Sequence, residues 1–171
     1  MILRPLGPAD EAEASNAHAE LAAEGFEFLH RHGLEDDWPL YLSTLTDARL
    51  GRNLPDGHVP AIFLVAEAAG CLVGRVSIRH TLTPLLETVG GHIGYAVRPA
   101  HRRKGFATRI LRGALAHAHE LGIERTLVTC DIDNVGSRTV IERCGGVLDP
   151  VRGYTSGGAE KLRYWVPTGL G

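Results

Sequence analysis

A chain of 171 residues, 44% hydrophobic and 22% charged, has the size and make-up of one globular domain that buries its core without disulfide staples. Its 18 basic and 20 acidic residues leave a formal charge of -2, which argues against nucleic acid as a partner. Cys71, Cys130 and Cys144 form no CxxC pair, and the nine histidines form no HExxH or comparable cluster, so neither a disulfide framework nor a metal is expected.

In chain order, "MILRPL" predicts a first strand and "GPAD" a turn and helix start, with Pro8 and Asp10 at positions that helix starts favour. Leu21, Phe26, Phe28 and Leu29 supply apolar positions for that helix, and Gly25 is placed to bend or divide it. A second helix is expected from about Asp36 to Leu50, broken by "GRNLPDGHVP". The character then changes. Ile62–Glu67 and Leu72–His80 read as two strands joined by a tight turn through Ala68–Gly70. "TLTPLLETVGG" is a loop or short helical excursion, and "HIGYAVRP" is a third strand ended by Pro99. Apolar residues at Phe106, Ile110, Leu111, Ala114, Leu115, Ala118 and Leu121 mark a helix with one buried stripe, stopped by Gly122. "RTLVTC" is a buried strand and "NVGSRTVIERCGG" a short helix. "GVLDPV" and "KLRYWVP" are further strands around the loop "RGYTSGG". The order predicts a single mixed α/β layer structure over residues 1–171, with strand–helix–strand crossovers in its second half. No apolar run approaches the roughly 18 residues of a membrane span, and the acidic N-terminal stretch lacks a signal-peptide core, so a cytoplasmic chain is expected.

Chemistry concentrates in "VRPAHRRKGFA". A strand ends at Pro99 and a helix opens near Gly105, so the first helical N–H groups, which lack internal partners, point at whatever lies off that end. Gly105 removes side-chain bulk there, Ala107 keeps the first turn low, and Arg98, Arg102, Arg103 and Lys104 surround the point with positive charge. The pattern fits a pyrophosphate cradle better than a solvated basic loop. It is neither a Walker A loop nor a GxGxxG fingerprint.

"VRPAHRRKGFATRILRGALAHAHELG" followed by "LVTCDIDNVGSRTVIERCGG" resembles the acetyl-CoA-binding core of the Gcn5-related N-acetyltransferase (GNAT) superfamily. Its [Q/R]-x-x-G-x-[G/A] loop is matched by Arg102, Gly105 and Ala107. "GGHIGYAVRP" is similar to a bacterial branch of the superfamily known mainly as predicted acetyltransferases. The resemblance is close from Ile62 to Val147 and extends to the first sixty residues by topology alone. It implies a mixed sheet with a splayed central strand pair and flanking helices, acetyl-CoA as co-substrate, and an amine acceptor, either a small molecule or a protein N-terminus. A homodimer is left open. It also implies that Val97 bonds the pantetheine arm and that the segment Arg102, Arg103, Lys104, Gly105, Phe106 and Ala107 holds the pyrophosphate. Asn134 contacts the pantetheine or the acceptor side, and Ser137 lies near the thiol. Read from the residues alone, Asp133 or Asn134 is a cap of the short helix and Ser137 a partner for a nearby carbonyl.

The superfamily's usual acid, a tyrosine seven residues beyond the asparagine, is replaced by Ile141. Ser137, Tyr154 or solvent is then left to serve the leaving thiolate, and a non-catalytic acyl-CoA-binding module is the alternative reading. For the base, His92 leads, with His80 and Glu67 behind it; a structural, backbone-bonded His92 is the competing assignment. Strand alternation puts His92, Gly94, Ala96 and Arg98 on one face, where two small residues leave room for a ligand. Cys130 reads as a buried strand residue. The loops around Leu82–Gly91 and Arg152–Gly158 and the helical first third are expected to set acceptor specificity. The acidic "ADEAEASNAHAELAAEGFE" favours a cationic amine.

Overall fold

The computed structural model describes residues 1–29, 37–151, 153, 154 and 160–169. A mixed sheet runs through the molecule in the order β1-β2-β3-β4-β5-β8-β6, with β7 also on β8. Its strands are β1 (Ile2–Arg4), β2 (Ala61–Ala68), β3 (Cys71–Arg79), β4 (Ile93–Val97), β5 (Arg125–Asp131), β6 (Val147–Leu148), β7 (Gly153–Tyr154) and β8 (Glu160–Pro167). The helices are α1 (Glu11–Ala22), α2 (Trp38–Leu50), α3 (Pro84–Thr88), α4 (Phe106–Glu120) and α5 (Val135–Arg143).

The β2–β3 hairpin turns on Ala69 and Gly70, both at positive φ (52° and 77°), the paired left-handed residues of a type I′ turn. The other strand pairs are antiparallel as well, except β4–β5, which the α4 crossover makes parallel. α4 buries Ile110, Leu111, Ala114, Leu115 and Ala118 against one face of the sheet, in a core shared with Val76, Ile78, Ile93, Val97 and Val128. The opposite face carries α1 and α2 through Ala14, Ala17, Leu21, Trp38 and Tyr41 over Phe63, Val65 and Leu72.

The elements follow the sequence reading closely, with differences that have local causes. α1 stops at Ala22 rather than reaching Leu29. Gly25, at φ 75°, reverses the chain, and Phe26 N–H closes on the Leu21 carbonyl at 3.0 Å. Phe28 and Leu29 are nonetheless fully buried, because the chain folds back and Leu29 N–H donates to His18 Nδ1 at 3.0 Å. The ambiguous segment before β4 is the short helix α3, capped by Thr83, whose side chain accepts from Leu86 N–H. β7, a two-residue strand on β8, has no sequence signal beyond its position in a loop.

Candidate active site

β4 and β5 part company almost as soon as they meet. Their one register pair is Ile93 with Val128. Arg79 N–H donates to His92 O at 2.8 Å and Arg98 N–H to Val73 O at 3.0 Å. The even-numbered residues of β4 therefore pair with β3, and Tyr95 and Val97 turn their backbone groups toward β5, across the gap. At the closed end, His92 joins the two strands twice. Its N–H donates to Leu127 O at 2.7 Å, and its Nδ1 accepts from Leu127 N–H at 2.9 Å.

That second bond is the backbone-bonded arrangement that competes with His92 as general base. With Nδ1 occupied as an acceptor, the neutral ring carries its proton on Nε2 and presents a donor. Burial, and then the charge of Arg79, lower the His92 pKa, so the ring stays neutral. The alternatives are no better placed. Glu67 Oε2 accepts from Arg4 Nε at 2.6 Å, on a strand separated from β4 by β3. His80 lies beyond the end of β3, with Nε2 buried and unbonded among the described residues.

At the open end lies the hinge. Gly105 is the N-cap of α4 at φ 78°, and Arg103 is also left-handed at φ 62°. Arg102 N–H is already bonded to Pro99 O at 3.2 Å. Among the described residues, no acceptor takes the N–H groups from Arg103 to Thr108. They form a concave row at a helix N-terminus, a strong anion-binding arrangement. A Cβ added at Gly105 meets nothing within 4 Å, so the space before the row is open.

The arginines behave differently from a simple positive ring. Arg98 turns away to α1, donating to Glu20 at 2.9 and 2.6 Å, to Glu13 at 3.0 Å and to Leu72 O at 2.9 Å. Arg102 packs its Nε on Val97 O at 3.1 Å and pairs both terminal nitrogens with Glu24. Lys104 Nζ donates to Ala100 O at 2.8 Å. Glu13, Glu20 and Glu24 are thus counter-charges of the hinge, and Asp10 pairs with Arg4. Phe106 sets its ring edge-on to His101, 6.2 Å between centroids, and Ala107 packs at the rim of the core.

Across the gap, Asn134 caps α5, its Oδ1 accepting from Ser137 N–H at 2.9 Å. Ser137 Oγ lies 3.0 Å from Tyr95 Oη. This pairing links β4 to α5 over the splay, and the sequence reading did not include Tyr95. Burial pushes its hydroxyl up to about 12, so it is protonated at neutral pH. Alternation places Tyr95 with the core residues Ile93 and Val97, where a buried hydroxyl needs a partner. Ile141 is fully buried in the α4 core. Burial lifts the Cys130 thiol to about 11, which makes it a poor nucleophile. The side chain of Tyr154, Arg152 and residues 155–159 lie outside the described residues. Among the described residues no group of His, Cys, Asp and Glu gathers as a metal site, and no helix is long and apolar enough to cross a membrane.

Comparison with known proteins agrees with this architecture. The sequence profile of the family described as "Acetyltransferase (GNAT) domain" matches residues 1–147. Salmonella typhimurium yncA, solved with its cofactor acetyl-CoA, is 16% identical; the match covers 99% of this chain and 95% of that one at a TM-score of 0.66. Mycobacterium smegmatis RimJ in complex with CoA-disulfide is 24% identical, over 96% of this chain and 80% of its own, at 0.68. A point mutant of spermidine N-acetyltransferase SpeG from Vibrio cholerae is 17% identical, over 98% and 95%, at 0.64. A search of curated proteins finds no match.

Proposed function

The chain belongs to the GNAT acetyltransferase family, and from that premise we propose that it is an N-acetyltransferase carrying the acetyl group of acetyl-CoA to a primary amine. The observation that carries the reading is the row of unbonded N–H groups from Arg103 to Thr108 at the mouth of the β4–β5 gap. These residues fit the diphosphate of CoA in chemistry: six consecutive donors, open space before Gly105, and the side chains of Arg103 and Lys104 beside them. Val97 and Tyr95 offer backbone groups to the pantetheine arm along the free edge of β4, and Asn134 keeps its Nδ2 for the far wall.

Bound acetyl-CoA supplies an activated thioester carbonyl. The chain orients the acceptor, excludes water and manages a proton. Tyr95 Oη, held by Ser137 Oγ at 3.0 Å, is the donor placed for the leaving sulfur, and it regains its proton from solvent. It stands in for the tyrosine that Ile141 replaces. His92 acts on position: it pins the closed end of the gap, and its Nε2–H is a donor on the acceptor face. The amine arrives unprotonated or loses its proton to water. The three cysteines are free thiols, which supports a cytoplasmic setting. The finer assignment to a bacterial branch rests on "GGHIGY" alone.

Melting the protein with acetyl-CoA, CoA or ATP tests the cofactor. Both CoA compounds should raise Tm and ATP should not; the reverse ranking removes the assignment. Release of free thiol with an amine panel then separates an enzyme from a non-catalytic acyl-CoA-binding module, which would bind without turnover.

A further inference from the structure

The face of β3 and β4 that looks toward α1 and α2 carries an unusual charge. Register sets Arg75 opposite Ala96 and Ser77 opposite Gly94, and Arg79 adjoins His92 through its backbone bond. By alternation Arg75, Ser77 and Arg79 share this face with His92, Gly94 and Ala96. A Cβ at Gly94 meets nothing within 4 Å, so there is open space in the middle of the group.

Among the described residues, neither arginine has a carboxylate within ion-pair distance. Arg75 is 3% exposed. It donates to Gly94 O at 3.3 Å and Glu27 O at 2.7 Å, and its Nε is buried without an acceptor among the described residues. Arg79 donates to the carbonyls of Gly90 and Gly91, at 3.3 and 3.0 Å. By contrast Arg4, Arg98, Arg102 and Arg138 each end on a carboxylate. Phe26, with its centroid 4.7 Å from the Arg75 guanidinium, and Phe63 at 5.8 Å, soften the burial without cancelling charge. Tyr41 and, more weakly, exposed Glu27 act to raise Arg75, against the larger effect of burial. Burial, reinforced by Arg79, lowers Arg75 to about 9. His92 adds a third donor, Nε2–H, to the same face. Buried charge left uncompensated is costly, and a bound anion would complete the group.

We propose that the acceptor is an amino acid whose free carboxylate is received by the Arg75–Arg79–His92 face over Gly94, with its amine directed to the β4–β5 gap. This rests on the acyl-transfer reading above. Gly94 is the strand neighbour of Tyr95, so the face over Gly94 adjoins the edge of β4 that opens on the gap. Of the acids near the hinge, Glu13, Glu20 and Glu24 are occupied by Arg98 and Arg102.

The test measures thiol release from acetyl-CoA with free amino acids, their amides, the corresponding decarboxylated amines, phosphoethanolamine, spermidine, and a peptide amide with a free N-terminus. Thermal shift with acetyl-CoA, and with CoA plus N-acetyl amino acids, accompanies it. Free amino acids should exceed their amides by about 100-fold in kcat/KM, equivalent to the loss of one well-placed ionic contact. Arg79→Gln should raise KM for the amino acids at least tenfold, affect the amides far less and preserve the acetyl-CoA shift. Arg75→Met, provided it melts cooperatively, should do the same. The proposal is overturned if amides, phosphoethanolamine, peptide or spermidine match the amino acids. It is equally overturned if acetyl-CoA stabilises the protein while no amino acid is turned over and no N-acetyl amino acid shifts the melt. Absence of any acetyl-CoA shift overturns the cofactor assignment itself, and this proposal with it.

Discussion

Replacing Gly91 by alanine strikes the closed end of the β4–β5 gap. Gly91 has φ 60°, and a Cβ there lies 2.3 Å from the Leu127 carbonyl oxygen and 2.9 Å from its carbon. Left-handed backbone costs an alanine about 1–2 kcal/mol. The clash is with backbone, so β5 must withdraw by roughly 1 Å to restore ordinary contact near 3.5 Å. Withdrawal breaks the 2.7 Å His92 N–H bond to Leu127 O and the 2.9 Å bond from Leu127 N–H to Nδ1. At about 1 kcal/mol net for each bond, the total is about 3–4 kcal/mol. In a chain of this length that lowers Tm by roughly 6–16 °C, readable by scanning calorimetry or urea titration. Gly25→Ala is the control: φ is 75° but nothing lies within 4 Å, so only the backbone cost of about 1–2 kcal/mol remains. If the two variants melt together, the junction does not depend on the close approach of Gly91.

Gly105→Glu should fold at a left-handed backbone cost of about 1–2 kcal/mol, since a Cβ meets no neighbour, yet abolish stabilisation by acetyl-CoA by setting a carboxylate among the unbonded N–H groups; a retained shift would move the diphosphate elsewhere. Tyr95→Phe should lower kcat with KM for acetyl-CoA little changed, while an unaltered kcat would remove Tyr95 from the proton step. In the wild type, Tyr95 has its folded pKa raised from 10.0 to about 12, so its contribution to stability is complete below pH 10 and is lost as pH climbs toward 12. Alkaline unfolding should therefore become less steep in Tyr95→Phe. His92 has its folded pKa lowered below 6.5, so its contribution is present above that value and lost as pH falls through the acid range; His92→Gln should flatten acid unfolding, with the part due to His80 persisting. Arg98→Met removes a side chain only 13% exposed, with bonds to two acids and a carbonyl, and should cost about 2 kcal/mol in urea unfolding; a loss below about 0.5 kcal/mol would show the clasp to α1 to be ornamental.

Periodicity made α4 legible, and the left-handed pair Ala69–Gly70 follows from a short gap between two β-branched runs. Gly105 was legible for the same reason, since its place between a strand end and an apolar helix is a local property. Partners across the fold were not. Arg98 meets Glu20 from 78 residues away, and nothing in a basic cluster tells which of its members turn toward an acid. Tyr95 and Ser137, 42 residues apart, look like a core aromatic and a cap neighbour until the sheet brings them together. Alternation assigned His92 to its face; only the Leu127 N–H decides which ring nitrogen is occupied. Arg75 and Arg79, four residues apart on a strand whose remaining residues apart from Ser77 are apolar or small, are a readable anomaly, because a period of two places both on one side of the sheet.

The narrow meeting of β4 and β5 has a mechanical meaning. β1 to β4 form one leaf and β5 with β8, β6 and β7 the other, each laced by its own ladder, and the leaves are stitched at Ile93 and Val128, by the backbone and imidazole of His92, and by the Gly90 N–H bond to Thr129 Oγ1. The angle between them can change at the expense of very few bonds. A molecule wedged in the open end and gripping both edges is a second stitch, so its affinity and the stiffness of the seam are one quantity. Slowed amide exchange at Leu127 and Ile93 would then report occupancy from the far end of the slot, without a probe on the ligand.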